Sequence, residues 1–224
     1  MRVVQKAQLA AAPLTNNSDR ALKVDFINPP FMTFDLAILM RKCDKTSKIK
    51  KMLDLSKQNE VKFGVIAGGT TQKFFDRETE DPEYRSMSNI MAGNTDDYLL
   101  PSVEDGVRRV RESTDDHPFA FIGEQFMLEY HASREPCDLV AVKGDVSEYN
   151  GEYHLATSKT WTDSDTKDKL KKSLAHLKAT GQLEKLYKRW WIDRAQCSCS
   201  TLVTSATAIL IPLVVVVLSR VSGE

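Results

Sequence analysis

The chain has 224 residues, of which 42% are hydrophobic and 28% charged, as in an ordinary globular protein. Its 31 basic and 31 acidic residues cancel, so no phosphate-tracking basic surface is expected and nucleic acid is excluded as a predicted partner. The length allows one large domain or two small ones.

The first part of the chain predicts strands around a polar connector. VDFINPPFMTFDLAILM, residues 24–40, indicates extended apolar chain with a bend at two prolines, and residues 42–51 indicate a basic surface connector. Apolar residues alternate in EVKFGVIAGG, residues 60–69, which predicts a strand that ends at two glycines. TTQKFFDRE, residues 70–78, predicts a helix. A turn in which a strand is followed by glycines and then by hydroxyl residues that begin a helix can bind an anion, because the first backbone N–H groups of a helix lack partners. Most such turns, however, only join a strand to a helix.

The middle of the chain predicts alternating helices and strands. Ser102 and Asp105 have the spacing of a capping box at the start of SVEDGVRRVRES. FAFIG, residues 119–123, predicts a strand, EQFMLEYHAS a helix, and DLVAV, residues 138–142, another strand. This order is typical of an α/β layer with parallel strands.

The C-terminal part predicts two helices and a membrane span. Leucines at helical spacing over residues 170–177 predict a helix that stops at Gly181, and a second helix leads into a tryptophan pair. The uncharged residues 201–219 would reach roughly 28 Å as a helix, close to the roughly 30 Å of bilayer hydrocarbon. A buried core strand is the alternative, because the run is β-branched and contains Pro212, and a cleaved lipid-anchor signal is another.

The cysteines and histidines predict neither a metal site nor an enzyme. The four cysteines are Cys43, Cys137, Cys197 and Cys199. No two of them have Cys-x-x-Cys spacing, and the Cys-Ser-Cys spacing at residues 197–199 is too close for a zinc site by itself. A disulfide with spare thiols in an outside-facing compartment is favoured instead. The four histidines show no metal spacing and no nucleophile motif is present, so we expect no metal, no cofactor and no enzymatic activity.

Several segments together resemble one family. Five stretches of the chain resemble, in their order and spacing, the second ligand-binding segment of ionotropic glutamate receptors. They are GGTTQKFF, DGVRRVRES, FAFIGEQFMLEY, PCDLVAV and GQLEKLYKRWW. Two earlier stretches resemble the closing part of the family's first ligand-binding segment. They are APLTNNSDRALKVDF and PPFMTFDLAILMRK. The resemblance covers nearly all of residues 9–197.

The resemblance implies an α/β fold of the bilobed, type II periplasmic-binding-protein-like kind. Residues 1–32 and 151–197 would form an incomplete first lobe, residues 33–150 the second lobe, and residues 201–219 one C-terminal transmembrane helix.

The resemblance also implies a ligand site between the lobes. Arg20 stands where the family binds the α-carboxylate of an amino acid, and a planar guanidinium fork suits a carboxylate bidentately. The Pro13 carbonyl and the Thr15 hydroxyl would bind the α-ammonium, with Thr15 also touching the carboxylate.

The second lobe would supply the remaining contacts. Glu124 matches the family's acidic partner of the ammonium, and Thr70 and Thr71 match the hydroxyls that bind the side-chain carboxylate of glutamate. Cys137 and Cys197 match the family's second-lobe disulfide.

The predicted function is the ligand-binding part of a glutamate-gated cation channel subunit, with L-glutamate or a related amino acid as ligand. We expect the binding domain outside the plasma membrane, with membrane lipid and other subunits of a tetramer as partners. The family's early first segment is not matched, and only residues 43–53 stand where a pore-forming block is expected, so the chain should not conduct alone. A membrane-tethered amino-acid-binding protein and a non-functional gene fragment are the alternatives.

The sequence departs from the family pattern at two further positions, where His154 and Ser158 replace a glycine and a proline.

Overall fold

The computed structural model describes residues 7–42, 45–76, 81–146 and 149–197. Strands in these ranges form two separate sheets. No helix within the described ranges is long and apolar enough to cross a membrane. The predicted span at residues 201–219 lies outside the described residues, as do Cys43 and Cys199.

The first sheet is small and antiparallel. It has the order β1-β8-β2 and consists of β1 (Leu9–Ala10), β2 (Val24–Phe34) and β8 (Gly151–Ser158). The register of β2 on β8 shifts between Ile27 and Met32, across the two prolines, which have no backbone N–H to donate to the ladder. The predicted extended conformation with a Pro-Pro bend is therefore confirmed.

The second sheet is larger and mixed. It has the order β5-β4-β6-β3-β7 and consists of β3 (Leu36–Arg41), β4 (Lys62–Ile66), β5 (Leu99–Leu100), β6 (Phe119–Glu124) and β7 (Leu139–Lys143). β4 is parallel to β5 and β6, as predicted. β3 runs antiparallel to both β6 and β7, so β7 has the same direction as β4 and β6, as predicted, and β3 is the strand that makes the sheet mixed. The alternation of helices and strands after residue 60 carried no information about an earlier strand that inserts between two later ones.

Helices surround both sheets. They are α1 (Ser18–Ala21), α2 (Met52–Ser56), α3 (Thr70–Asp76), α4 (Pro82–Gly93), α5 (Thr95–Tyr98), α6 (Val103–Glu112), α7 (Gln125–Ala132), α8 (Ser164–Ala179) and α9 (Gln182–Tyr187). A 3-10 turn at Lys45–Lys48 and a π-helical turn at Lys188–Ile192 complete the described helical structure. Ser102 caps α6 as its position predicted, because its hydroxyl accepts from the backbone N–H of Asp105 at 3.1 Å. The second bond differs from that of a capping box: the Ser102 hydroxyl, not its backbone N–H, donates to the Asp105 carboxylate, at 2.7 Å.

The core lies on both faces of the second sheet. Leu36, Ile38 and Met40 belong to one buried cluster, while Ala37 and Leu39 belong to the other. Because successive residues of a strand point to opposite faces, a strand with apolar residues at every position is suited to the sheet interior. Both faces of β3 are therefore covered by side chains of the core.

The predicted surface connector at residues 42–51 is partly buried, so that prediction needs correction. Thr46 is buried and Ile49 belongs to the core cluster that contains Met52. The prediction rested on the many basic residues of the connector and did not consider that Thr46 and Ile49 could point inward. These two residues attach the connector to the core of the second sheet.

The segment after α9 is attached to α7 and to the loop that precedes β7. Cys137, just before β7, and Cys197 form a disulfide with a Cα–Cα distance of 5.4 Å. Beside it, the backbone N–H of Gln196 donates to the Ser133 carbonyl at 2.8 Å, and the Trp191 indole donates to the Phe126 carbonyl at 2.8 Å.

Candidate functional site

One cavity of about 180 Å³ gathers all the residues that the resemblance assigned to ligand binding. Those six residues are Pro13, Thr15, Arg20, Thr70, Thr71 and Glu124. The rest of its wall is mainly apolar and comes from β4, β6, α6 and α7, with Ile66, Val103, Phe121, Met127 and Leu128 among its residues.

Thr15 is positioned by backbone contacts with β8. It forms an isolated antiparallel bridge with Tyr153. On either side, the His154 N–H donates to the Leu14 carbonyl at 3.2 Å and the Asn16 N–H donates to the Glu152 carbonyl at 3.1 Å. Thr15 is buried, so this loop holds its hydroxyl in a fixed place beside the cavity.

Arg20 lies in the short helix α1, which a side chain caps. The Asn17 side-chain oxygen accepts from the Arg20 backbone N–H at 2.9 Å, the usual role of an asparagine at a helix start. The guanidinium Nη1 donates to the Thr15 carbonyl at 2.9 Å. The guanidinium is thereby tied to the same loop that carries the Thr15 hydroxyl.

Thr70 and Thr71 open helix α3 directly after β4. Gly68 has a φ of 67°, a left-handed conformation that glycine adopts without steric cost, and this turn redirects the chain from the strand into the helix. Gly69 follows, so the two hydroxyl residues come directly after a tight turn, as the sequence predicted. Thr71 is buried and Thr70 is half-buried.

Glu124 is the last residue of β6, and hydroxyl groups donate to both of its carboxylate oxygens. Thr15 donates to Oε1 at 2.9 Å, and the Tyr153 hydroxyl donates to Oε2. Burial raises the pKa of Glu124 above its ordinary value, while the bonds from Tyr153 and Thr15 and the charge of Arg20 act in the opposite direction. Burial and the neighbouring carboxylate also raise the pKa of Tyr153, so the phenol stays protonated and can donate.

Sequence reasoning missed Tyr153. It lies on β8 of the first sheet and contacts a carboxylate at the end of a strand in the second, 29 residues away in the chain. The position of a tyrosine within a strand is not enough to predict such a pair, because it depends on how the two sheets face each other.

The wall of the cavity is complementary to a zwitterion. It presents one guanidinium and one carboxylate together with three threonine hydroxyls, and charge-assisted hydrogen bonds to groups of opposite sign are the stronger ones. Among the described residues no group of three or more histidine, cysteine, aspartate or glutamate side chains could hold a metal ion.

The sequence is similar to those of known solute-binding proteins and receptors. The model of the bacterial extracellular solute-binding proteins, family 3, matches residues 4–193. Human and mouse Glutamate receptor 3 are each 32% identical over 165 residues, which is 74% of this chain. The chain spans only 18% of the length of these receptors.

A solved structure shows the same fold. The Drosophila muscle GluRIIB complex with glutamate superimposes with a TM-score of 0.71 at 30% identity, covering 84% of this chain and 69% of that one. The fold is therefore the α/β fold of periplasmic-binding-protein type. The chain belongs to the extracellular solute-binding proteins of family 3 and, among them, to the ligand-binding domains of ionotropic glutamate receptors.

Proposed function

We propose that this chain binds a free α-amino acid, L-glutamate or a close relative, between two lobes. The observation that carries the proposal is the presence of Arg20 and Glu124 on the wall of one small cavity. The two side chains have opposite charge, as the two ends of an amino acid's backbone have.

The α-carboxylate would be bound by Arg20. A guanidinium has five N–H donors, and within the described residues the side chain of Arg20 donates to the Thr15 carbonyl. The remaining donors suffice for a bidentate bond to a carboxylate, with the Thr15 hydroxyl beside it.

The α-ammonium would be bound by Glu124 and the Pro13 carbonyl. Burial of Glu124 disfavours its charged form, and an ammonium at hydrogen-bond distance reverses this cost because it favours the carboxylate. The hydroxyls of Thr15 and Tyr153 already hold the carboxylate in place, so little side-chain freedom is lost on binding.

The ligand's side chain would reach Thr70 and Thr71. Helix α3 has only seven residues, so the proposal relies on the two hydroxyls rather than on a helix dipole. Two hydroxyl donors suit the terminal carboxylate of glutamate.

The ligand would connect the two sheets. Pro13, Thr15 and Arg20 lie in the segment between β1 and β2 of the first sheet. In the second sheet, Thr70 and Thr71 begin the helix after β4, and Glu124 ends β6. The proposed lobes are residues 1–32 with 151–197 and residues 33–150. A ligand that contacts both lobes favours their closed arrangement, because it binds that arrangement more tightly than the open one.

At the level of the whole protein, we propose part of a glutamate-gated cation channel subunit. Residues 201–219 would anchor it in the plasma membrane with the binding domain outside, and complete subunits would join it in a tetramer. The human relative's name and the glutamate in the Drosophila complex support this assignment. The match to bacterial solute-binding proteins supports the second candidate, a membrane-tethered amino-acid-binding protein without channel activity.

Calorimetric titration of the oxidised full chain in detergent with L-glutamate tests the binding proposal. We expect saturable binding of one ligand per chain, lost in Arg20→Ala and retained in Arg108→Ala, which removes an exposed arginine from the surface of α6. Absence of saturable heat, or equal binding by both variants, would reject it. Glutamate-evoked current on co-expression with a complete subunit, altered by Arg20→Ala, would distinguish the channel role from the second candidate.

A further inference from the structure

An exposed aromatic and basic surface lies near the end of the described chain. Trp190 and Ile192 of the π-helical turn are 44% and 55% exposed, and Tyr130 in α7 is 42% exposed. Clustered apolar side chains in contact with water commonly mark an interaction surface. Together with neighbouring arginines they form a surface that we call the basic aromatic face. Its residues are Tyr130, Arg134, Arg189, Trp190, Ile192 and Arg194.

Direct contacts join the residues of this face. The guanidinium carbon of Arg194 lies 3.9 Å from the centroid of the Trp190 ring, and that of Arg189 lies 6.0 Å from it. The guanidinium carbon of Arg134 lies 4.3 Å from the centroid of the Tyr130 ring. The Arg134 guanidinium also donates to the Arg194 carbonyl at 2.6 Å and to the Trp190 carbonyl at 3.3 Å. The end of α7 and the π-helical turn therefore present these side chains as one surface.

The positive charge of the face is not neutralised by the protein. In the described part of the chain, none of its three guanidiniums forms an ion pair with a carboxylate, although Glu135 and Asp193 are close in sequence. An aromatic ring attracts a guanidinium without removing its charge. The face can therefore bind anions, and the planar fork of a guanidinium suits the oxygens of a phosphate group.

The disulfide holds this face close to the uncharged run that begins at Thr201. Cys197 is bonded to Cys137, which follows Arg134 by three residues. Only residues 198–200 separate Cys197 from Thr201. Consecutive Cα atoms are about 3.8 Å apart, so the Cys197 Cα lies within roughly 15 Å of the Thr201 Cα. The headgroup layer is about 5–8 Å thick on each side of the hydrocarbon. If Thr201 begins a membrane span, the end of the described chain is therefore within roughly 10 Å of the bilayer surface.

We propose that the basic aromatic face lies on the surface of a phospholipid bilayer, an inference that rests on the proposed membrane anchoring by residues 201–219. The guanidiniums bind lipid phosphates, and the rings of Trp190 and Tyr130 lie at the level of the headgroups, where these residue types are enriched in membrane proteins. Such side chains place an apolar body in the interface and keep a polar end in contact with water or phosphate. The short tether favours the bilayer over a protein partner, because it fixes the distance of the bilayer alone.

Tryptophan fluorescence of the full chain in vesicles tests the inference. The vesicles are an equimolar mixture of phosphatidylcholine and phosphatidylglycerol, and bromine atoms near the headgroup end of the phosphatidylcholine acyl chains quench on contact. The chain has 3 tryptophans, Trp161, Trp190 and Trp191, so residues 198–224 contribute no tryptophan signal. We expect brominated vesicles to quench the wild-type emission relative to unbrominated ones. Trp190→Phe should remove most of the quenched intensity, whereas Trp161→Phe, after the end of β8, should leave it unchanged.

Replacement of arginines tests the contribution of charge. Arg189→Gln combined with Arg194→Gln should lower the ratio of docked to undocked chain by about fivefold for each arginine. Arg108→Gln removes an exposed arginine from α6 and should leave the ratio unchanged. The wild-type comparison of brominated with unbrominated vesicles needs no substitution, so it tests the inference even if a variant fails to fold.

Flotation of the vesicles on a density gradient separates this inference from the proposed anchoring. A chain that floats with the vesicles while Trp190 is not quenched overturns the inference and leaves the anchoring and the L-glutamate proposal intact. Quenching that neither Trp190→Phe nor the double arginine variant lowers also overturns it. Shielding of Trp190 from dissolved iodide without quenching by brominated lipid indicates a protein partner, such as a second copy of the chain, and overturns it as well. A chain that does not float overturns the proposed anchoring and this inference with it.

Discussion

The Thr15 hydroxyl donates to the Glu124 carboxylate at 2.9 Å across 109 residues of sequence. Thr15 is fixed to β8 of the first sheet, and Glu124 ends β6 of the second. Arg20 donates to the carbonyl of the same threonine. This one residue therefore connects the cationic and the anionic sides of the candidate site and explains why both face one cavity.

Binding of an amino acid should depend on pH through Glu124. Burial raises its pKa above the ordinary value of 4.5, and a ligand ammonium favours the ionised form and so lowers the pKa in the complex. Binding then releases a proton whenever Glu124 is protonated beforehand, and affinity falls as pH is lowered through the pKa of the free protein. Titrations with L-glutamate from neutral pH downward should show a decline with a midpoint above 4.5.

Glu124→Gln provides the control for this pH dependence. It should bind weakly and with a flatter profile over the same range, because the titrating group is gone. A wild-type affinity that stays constant down to pH 4.5 would show that Glu124 does not bind the ammonium.

Replacement of Arg20 separates charge from geometry. Arg20→Lys keeps a positive charge but loses the planar fork, and hydrogen bonds to a charged group each contribute about 1.5–3 kcal/mol. We expect both Arg20→Lys and Arg20→Ala to weaken L-glutamate by at least about tenfold without lowering the melting temperature of the free protein by more than a few degrees. Retention of wild-type affinity by Arg20→Lys would argue against bidentate binding.

Gly106 and Gly93 are helical glycines in different surroundings, so replacing each by alanine compares a crowded site with an open one. A Cβ at Gly106 in α6 would stand 2.7 Å from the ring of Phe121, which is fully buried, whereas a Cβ at Gly93 in α4 would meet nothing within 4 Å. Gly106→Ala should cost about 1–3 kcal/mol from overpacking, partly offset by about 1 kcal/mol of helix propensity. Gly93→Ala should be neutral or slightly stabilising.

Thermal melts of both glycine variants check this difference. A cost of 1 kcal/mol shifts the melting temperature of a chain of this size by about 2–4 °C, so Gly106→Ala should melt lower and Gly93→Ala should not. Equal melting temperatures would mean that α6 and β6 can separate without cost.

The disulfide should stabilise the attachment of the C-terminal helices. Cys137 and Cys197 are separated by 60 residues, and closing a loop of that length in the unfolded chain corresponds to about 4 kcal/mol in the entropic model. The double variant Cys137→Ala, Cys197→Ala should therefore unfold at lower denaturant concentration than the oxidised protein. Reduction of the wild type should reproduce that shift, and the absence of any shift in both would show that the neighbouring backbone bonds suffice.

Local patterns predicted individual elements well. The serine and aspartate spacing located the start of α6, and the alternation of Val61, Phe63 and Val65 located β4, because capping and strand periodicity depend on neighbouring residues. The Leu170, Leu174 and Leu177 spacing correctly predicted helix α8, although Leu177 is 40% exposed and only Leu174 is buried. A periodic pattern indicates the helix, but the neighbouring elements determine how much of its apolar face is covered.

Relationships between distant segments were harder to predict. The insertion of β3 between β6 and β7, and the bond from Tyr153 to Glu124, both depend on tertiary packing of segments that are far apart in the chain. The six candidate binding residues were located through family resemblance rather than periodicity. No single arginine or glutamate in a polar segment carries enough local signal to mark a ligand site.

Thermal unfolding of the oxidised full chain with and without L-glutamate, with Arg20→Ala measured in parallel, shows directly whether the folded protein binds the amino acid through Arg20. At about 100 times its dissociation constant, a ligand that binds only the folded state adds roughly 2.7 kcal/mol to the free energy of unfolding. We expect a clear upward shift of the melting temperature in the wild type and none in Arg20→Ala. A melt indifferent to L-glutamate in both proteins would contradict it.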